Sequence, residues 1–99
     1  MIKEKIGFIG AGNMAEAIIG GMLESRLTEK NNVIAFDIKR DRLDYIGKKF
    51  GIKTEINSGN VVTNADIVIL SVKPRNVIEA LKEIKNVLNG KVVISIAAG

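Results

Sequence analysis

Ile6-Gly7-Phe8-Ile9-Gly10-Ala11-Gly12-Asn13-Met14-Ala15-Glu16-Ala17-Ile18-Ile19 reads as a buried strand, a turn built on Gly10 and Gly12, and a helix beginning at about Asn13. That order is the context in which a G-x-G-x-x-(G/A) turn binds phosphate. Gly10 supplies the backbone angles of a sharp strand-to-helix turn. Gly12, lacking a Cβ, lets a pyrophosphate approach the main chain. Ala15 stands where the third glycine often stands and keeps the helix close to the sheet. The free N–H groups of the first helical turn, at the positive end of the helix dipole, then form an anion site made mostly of backbone. Two glycines serve a tight turn equally well without a ligand, so the rest of the chain has to decide.

Working outward, apolar runs alternate with helical patterns. The first strand covers Lys5 to Ile9, and the helix from Gly12 to about Ser25 repeats Met14, Ala17, Ile18, Gly21 and Met22 at three- and four-residue steps. A polar connection, Arg26 to Asn32, leads to a second strand, Val33 to Asp37. A helix from Arg40 to Phe50 carries Leu43, Ile46 and Phe50 on one face, and Gly51 ends it. Lys53 to Ile56 reads as a short edge strand, Asn57-Ser58-Gly59 as a turn, and Val61-Val62 as a short helix. Asp66 to Val72 is the strongest strand pattern. Pro74 opens a helix to about Leu88 with a stripe of Val77, Ile78, Leu81, Ile84 and Leu88, and Lys91 to Ile96 reads as a last buried strand.

Five apolar strands separated by helices predict an α/β fold, a doubly wound parallel sheet with helices on both faces and strand order 3-2-1-4-5. The chain switches direction between strands 1 and 4, and a ligand belongs at the carboxyl ends there. Residues 1–99 fill one such domain. With 46% hydrophobic and 26% charged residues the composition is that of a globular protein, and the apolar runs are too short to span a bilayer. No secretory signal pattern opens the chain, so the cytoplasm is the expected location. The absence of cysteine and histidine excludes a disulfide framework, thiolate or imidazole metal sites and a cysteine nucleophile. A net charge of +4, with acids spread among the bases and no basic stripe interleaved with aromatics, argues against nucleic acid.

Three further loops fall at the expected binding edge. In Asp37-Ile38-Lys39-Arg40, Asp37 lies 25 residues after Gly12, close to the spacing at which an acid binds the adenosine ribose. Lys39 and Arg40, at a helix start where cations oppose the dipole, suit a 2′-phosphate instead, or else they and Arg42 are solvated and pair loosely with Asp41 and Asp44. NAD and NADP therefore both stay open. Ser71-Val72-Lys73-Pro74-Arg75 follows the strand beside the pyrophosphate, and Ala97-Ala98-Gly99 offers small side chains against which a nicotinamide ring could lie.

Ile6-Gly7-Phe8-Ile9-Gly10-Ala11-Gly12-Asn13-Met14-Ala15-Glu16-Ala17-Ile18, Asp66-Ile67-Val68-Ile69-Leu70-Ser71-Val72-Lys73-Pro74 and Val93-Ile94-Ser95-Ile96-Ala97-Ala98-Gly99 together resemble the N-terminal, Rossmann-like domain of the pyrroline-5-carboxylate reductases over essentially the whole chain. The resemblance implies reduction of 1-pyrroline-5-carboxylate to proline with NADPH or NADH. It implies that Gly10, Ala11, Gly12, Asn13 and Met14 hold the pyrophosphate, that Val72, Lys73 and Pro74 line the cofactor, and that Ala97, Ala98 and Gly99 lie near the nicotinamide. Where the family often has Asn, eight positions before Asp66, this chain has Ser58. The family's C-terminal helical domain, which forms the homo-oligomer and most of the imino-acid site, is absent, so the chain is expected to be a fragment. No residue is a convincing general acid, and no metal is implied. A dinucleotide sensor without catalysis and a β-hydroxyacid dehydrogenase relative are the competing readings.

Overall fold

The computed structural model describes residues 1–96, so the expected site residues Ala97, Ala98 and Gly99 lie outside the described part. Strands β1 (Ile6–Ile9), β2 (Val33–Phe36), β3 (Lys53–Thr54), β4 (Ile67–Leu70) and β5 (Val92–Ser95) form one parallel sheet in the order 3-2-1-4-5, as the apolar alternation predicts. β1 is central. Ile6 pairs with Val33 on one side and Ile67 on the other, so the run after Ile9 emerges at the carboxyl edge between two neighbours.

Strand side chains alternate between two cores. Ile6, Phe8, Val33, Ala35 and Ile69 pack against helices α1 (Asn13–Glu24) and α2 (Arg40–Phe50), which contribute Ala15, Ile19, Leu43 and Ile46. Ile9, Ile34, Val68 and Leu70 pack on the other face against α3 (Ser58–Thr63) and α4 (Val77–Ile84), through Val61, Val62 and Ile84. Continuous apolar strands covered on both sides are what this layering demands. At Gly7 the layers approach so closely that a Cβ would stand 2.5 Å from Val61 Cγ1. Gly51, with φ +68°, closes α2 in the left-handed conformation expected of it.

Several expectations need correction. Strand ends are shorter than read: Lys5, Asp37, Asp66 and Val72 lie just outside the ladders, and β3 is only two residues long. The turn expected at Asn57-Ser58-Gly59 is the start of α3, because the Asn57 side chain accepts the Asn60 N–H at 2.8 Å and caps the helix one residue earlier. On α1 the buried face is Ala15 and Ile19, with Ile18, Met22 and Leu23 partly buried, whereas Met14, Ala17 and Gly21 face outward. The helix expected from Pro74 to Leu88 is α4 flanked by 3-10 turns at Pro74–Asn76 and Lys85–Val87. Ile78 is 65% exposed, since the stripe centred on Val77, Leu81 and Ile84 turns it toward solvent. β5 is an edge strand rather than a buried one, with Val92, Val93 and Ile94 exposed by 58%, 38% and 46%.

The contrast within α4 is measurable. Ile84→Ala is expected to cost about 2–5 kcal/mol by opening a cavity, while Ile78→Ala stays within about 0.5 kcal/mol, in urea denaturation. Equal costs would mean that the helix face is wrongly set.

Candidate functional site

The turn after β1 is held by contacts at each of its three residues. Gly10 has φ +107°, and a Cβ there would stand 2.2 Å from the Ser71 carbonyl oxygen, so the position admits only glycine. Its N–H donates to the Phe36 carbonyl at 2.8 Å, while the Ser71 N–H donates to the Ile9 carbonyl at 2.9 Å. β1, β2 and β4 are thus tied together at the turn. Ala11 is buried; its N–H donates to Asp37 Oδ2 at 2.7 Å, and its carbonyl accepts Arg42 Nε at 2.5 Å. Gly12 is different. It precedes α1 with ordinary extended angles, and a Cβ there would meet nothing within 4 Å among the described residues. Its side faces open space, the circumstance in which a glycine serves an approaching ligand rather than the fold.

A cleft of about 650 Å³ opens at this edge of the sheet. The first turn contributes Gly10, Gly12 and Asn13, the second Asp37 and Lys39, and the third Ser71, Val72 and Lys73. Three of the four loops expected to carry the site therefore meet on one wall, and the fourth, Ala97-Ala98-Gly99, lies outside the described residues. Above Gly12 the first-turn N–H groups of α1 have no intrahelical acceptor, and the first such bond is Glu16 N–H to the Gly12 carbonyl at 2.9 Å. The Ser71 hydroxyl is buried without a hydrogen-bond partner among the described residues, in a residue that lines the cleft. Buried polar atoms are seldom left so.

Other expected residues stand off the wall. Ala11 lies behind it, Met14 is exposed on the first turn of α1, and Arg40 and Pro74 are exposed at the starts of their helical segments. Ser58 is buried at the start of α3, where its hydroxyl donates to Glu83 Oε2 at 3.4 Å; Glu83 itself lines the cleft. Sequence reading gave no site role to Ile38 or Arg42 and missed most of the α4 side of the cleft, formed by Asn76, Glu79, Ala80 and Glu83 beside the expected loop residue Arg75. Ile38 carried a signal, as the one apolar residue in a charged loop at the binding edge. Arg42 carried none, because its partner is not local: it pairs with Glu16 on α1 at 2.5 Å, not with Asp41 or Asp44.

Glu16 is the hub of a surface network. Oε1 accepts Arg42 Nη2, and Oε2 accepts Lys49 Nζ at 2.6 Å and the Tyr45 hydroxyl at 3.1 Å. Lys49 and then Arg42 pull its carboxyl from the ordinary 4.5 down to about 2, and Glu16 in turn raises Lys49. Among the described residues no group of acids could hold a metal, and no helix is long and apolar enough to cross a membrane.

Residues 5–99 match the family model described as "NADP oxidoreductase coenzyme F420-dependent". The chain is 38% identical over its whole length to a pyrroline-5-carboxylate reductase of Methanosarcina acetivorans, of which it spans 37%. It superposes on the structure of a pyrroline-5-carboxylate reductase from Coxiella burnetii with a TM-score of 0.90 and 33% identity, covering 99% of this chain and 37% of that one. The Plasmodium falciparum pyrroline carboxylate reductase with NADP bound gives a TM-score of 0.84 at 26% identity, covering 98% and 34%. The chain thus spans little more than a third of the relatives it matches.

Two outcomes follow from the geometry. Gly10→Ala is expected to destabilise the fold by about 2–4 kcal/mol in chemical denaturation, through backbone strain and the clash with Ser71. For Glu16, a carboxyl lowered in the folded state contributes stability that is fully present above pH 4.5 and is lost as pH falls toward about 2. The denaturation midpoint of the wild type should therefore fall further than that of Glu16→Gln across this window, and parallel profiles would show that the network contributes nothing.

Proposed function

The chain belongs to the family of coenzyme F420-dependent NADP oxidoreductases, and from that membership we propose that it is the NAD(P)H-binding domain of a pyrroline-5-carboxylate reductase, the enzyme that reduces 1-pyrroline-5-carboxylate to proline. The observation that carries the reading is the division of labour in the turn. Gly10 is required by its contact with Ser71, whereas no contact among the described residues requires a glycine at Gly12. A glycine that the fold does not need, beside free helix amides and a buried unpartnered hydroxyl, fits a dinucleotide diphosphate.

In this reading the backbone of Gly12, Asn13 and Met14 holds the diphosphate, and Asp37 meets the adenosine ribose with the exposed Ile38 beside the adenine. Ser71, Val72 and Lys73 line the path toward the nicotinamide half. The bound dinucleotide supplies a hydride to the imine carbon of the substrate. The protein's part is to fix the nucleotide on rigid strand ends and to orient it, which is where most of the rate gain in such a transfer originates. The imino-acid contacts, the proton donor and homo-oligomer formation belong to the part of the relatives that this chain does not span, and residence in the cytoplasm follows from a biosynthetic role. The chain alone is expected to bind cofactor without turning over substrate.

Titration followed by nicotinamide fluorescence tests the reading. Wild type should bind a reduced nicotinamide dinucleotide saturably, and Gly12→Val should keep its denaturation midpoint yet lose at least about tenfold in affinity. Unchanged affinity in Gly12→Val, or no saturable binding by wild type, would refute the site.

A further inference from the structure

We propose that the protein carries a second binding site, for an amino acid with an apolar side chain, at the edge of the sheet opposite the cleft. A cavity of about 660 Å³ lies where α1 and α2 end and β2 begins, and it shares no lining residue with the cleft. Leu23 on the last turn of α1 and Phe50 at the end of α2 give it apolar walls. The segment between α1 and β2 supplies most of the polar ones.

Two residues of that segment work against the fold. Arg26 has φ +59°, the one positive φ outside glycine among the described residues. Its N–H donates to the Leu23 carbonyl at 3.2 Å and the Leu27 N–H to the Met22 carbonyl at 2.9 Å, the paired bonds of a helix end whose left-handed residue is ordinarily glycine. An arginine there is strained where glycine would be relaxed, and it lines the cavity. Thr28 is 2% exposed and also lines the cavity, yet its hydroxyl has no hydrogen-bond partner among the described residues. Valine would fill the same space without burying an orphaned polar atom. Strain at one position and an unpaired hydroxyl at the next but one thus meet at a single cavity, where both supply hydrogen-bond donors.

The charges select the ligand. Lys30 opens the 3-10 turn Lys30–Asn32, and its side chain reaches over the end of α2, since a Cβ on Gly51 would lie 3.5 Å from its Cδ and 3.8 Å from its Nζ. Arg26, Glu29 and Lys30 all line the cavity, and none has an ion-pair partner among the described residues. A carboxylate takes charge-assisted hydrogen bonds from the two cations and a further one from the Thr28 hydroxyl. An ammonium answers Glu29, and an apolar body lies against Leu23 and Phe50. A phosphate ester would set its second negative charge against Glu29, and a simple fatty acid would leave that acid unpaired. A zwitterion with an apolar side chain uses every one of these groups.

Amide NMR of this chain tests the site, with L-leucine and L-phenylalanine as probes beside 4-methylpentanoate, which lacks the ammonium, and 3-methylbutylamine, which lacks the carboxylate. Either amino acid should saturably shift the amides of residues 23–31 and of Phe50 while leaving those of Gly10, Gly12 and Lys73 in place. 4-Methylpentanoate should bind about tenfold more weakly than leucine, and 3-methylbutylamine not at all. Arg26→Gly and Thr28→Val should each raise the urea denaturation midpoint and yet weaken leucine at least about tenfold, a combination that a purely structural role does not produce. Glu29→Gln should weaken leucine and leave 4-methylpentanoate unchanged. No saturable shift with either amino acid, shifts confined to the cleft, or unchanged leucine affinity in Arg26→Gly or Thr28→Val would overturn the site. A lower midpoint in Arg26→Gly would show that the arginine serves the fold and would overturn its part. Equal affinity for leucine and 4-methylpentanoate would overturn the pairing of an ammonium with Glu29, and with it the choice of an amino acid.

Discussion

Where a side chain on residue 10 would begin, the carbonyl oxygen of Ser71 already stands. That single contact sets how close the turn after β1 lies to the end of β4, and the rest of the carboxyl edge follows from it. With Gly10 N–H on Phe36 and Ser71 N–H on Ile9, the ends of three neighbouring strands share one hydrogen-bonded corner. Ala11, next along, has no freedom left, since Asp37 holds its N–H and Arg42 its carbonyl. Only after these fixed residues does the backbone turn outward, at Gly12, and present the first amides of α1 to solvent. A diphosphate site needs donors that do not move when the anion arrives. Here the rigidity comes from strand pairing and two side chains behind the loop, while the donors themselves are backbone.

Asp37 has a structural role that sequence spacing does not reveal. Its distance from Gly12 suits a ribose-binding acid, and its contacts show that it also braces the turn through Ala11 and the start of α2 through Lys39. The violation of dipole preference at Lys39 and Arg40 is eased by the same residue, whose carboxylate accepts the Lys39 N–H at the start of α2 and places a negative charge there.

How much was legible beforehand depends on the range of the interaction that decided each feature. Strand order, the glycine turn and the meeting of three loops on one wall follow from apolar runs and connection rules, and these were readable. The buried face of α1 was not, because nearly every residue from Met14 to Met22 is apolar or small, and a helix without a polar contrast gives no phase. The start of α3 turned on one Asx cap, which outweighs the turn propensity of Ser58-Gly59. β5 was misread for a different reason. Val92, Val93 and Ile94 have the composition of a covered strand, and composition cannot report whether a covering element lies over it. Arg42 was invisible because its partner lies 26 residues away on another helix, whereas charge patterning reports only neighbours within a turn or two.

The Glu16 network shows how such a nonlocal pair acts on the site from behind. Glu16 sits in the first turn of α1, where its charge favours the helix dipole, and it simultaneously gathers Arg42, Lys49 and Tyr45 from α2. An exposed ion pair contributes little to stability on its own. This one matters through position, because Arg42 spans from Glu16 to the Ala11 carbonyl and so joins the outer surfaces of two helices to the turn after β1. A change in the charge of Glu16 therefore reaches the turn through one guanidinium, without any change in the sheet.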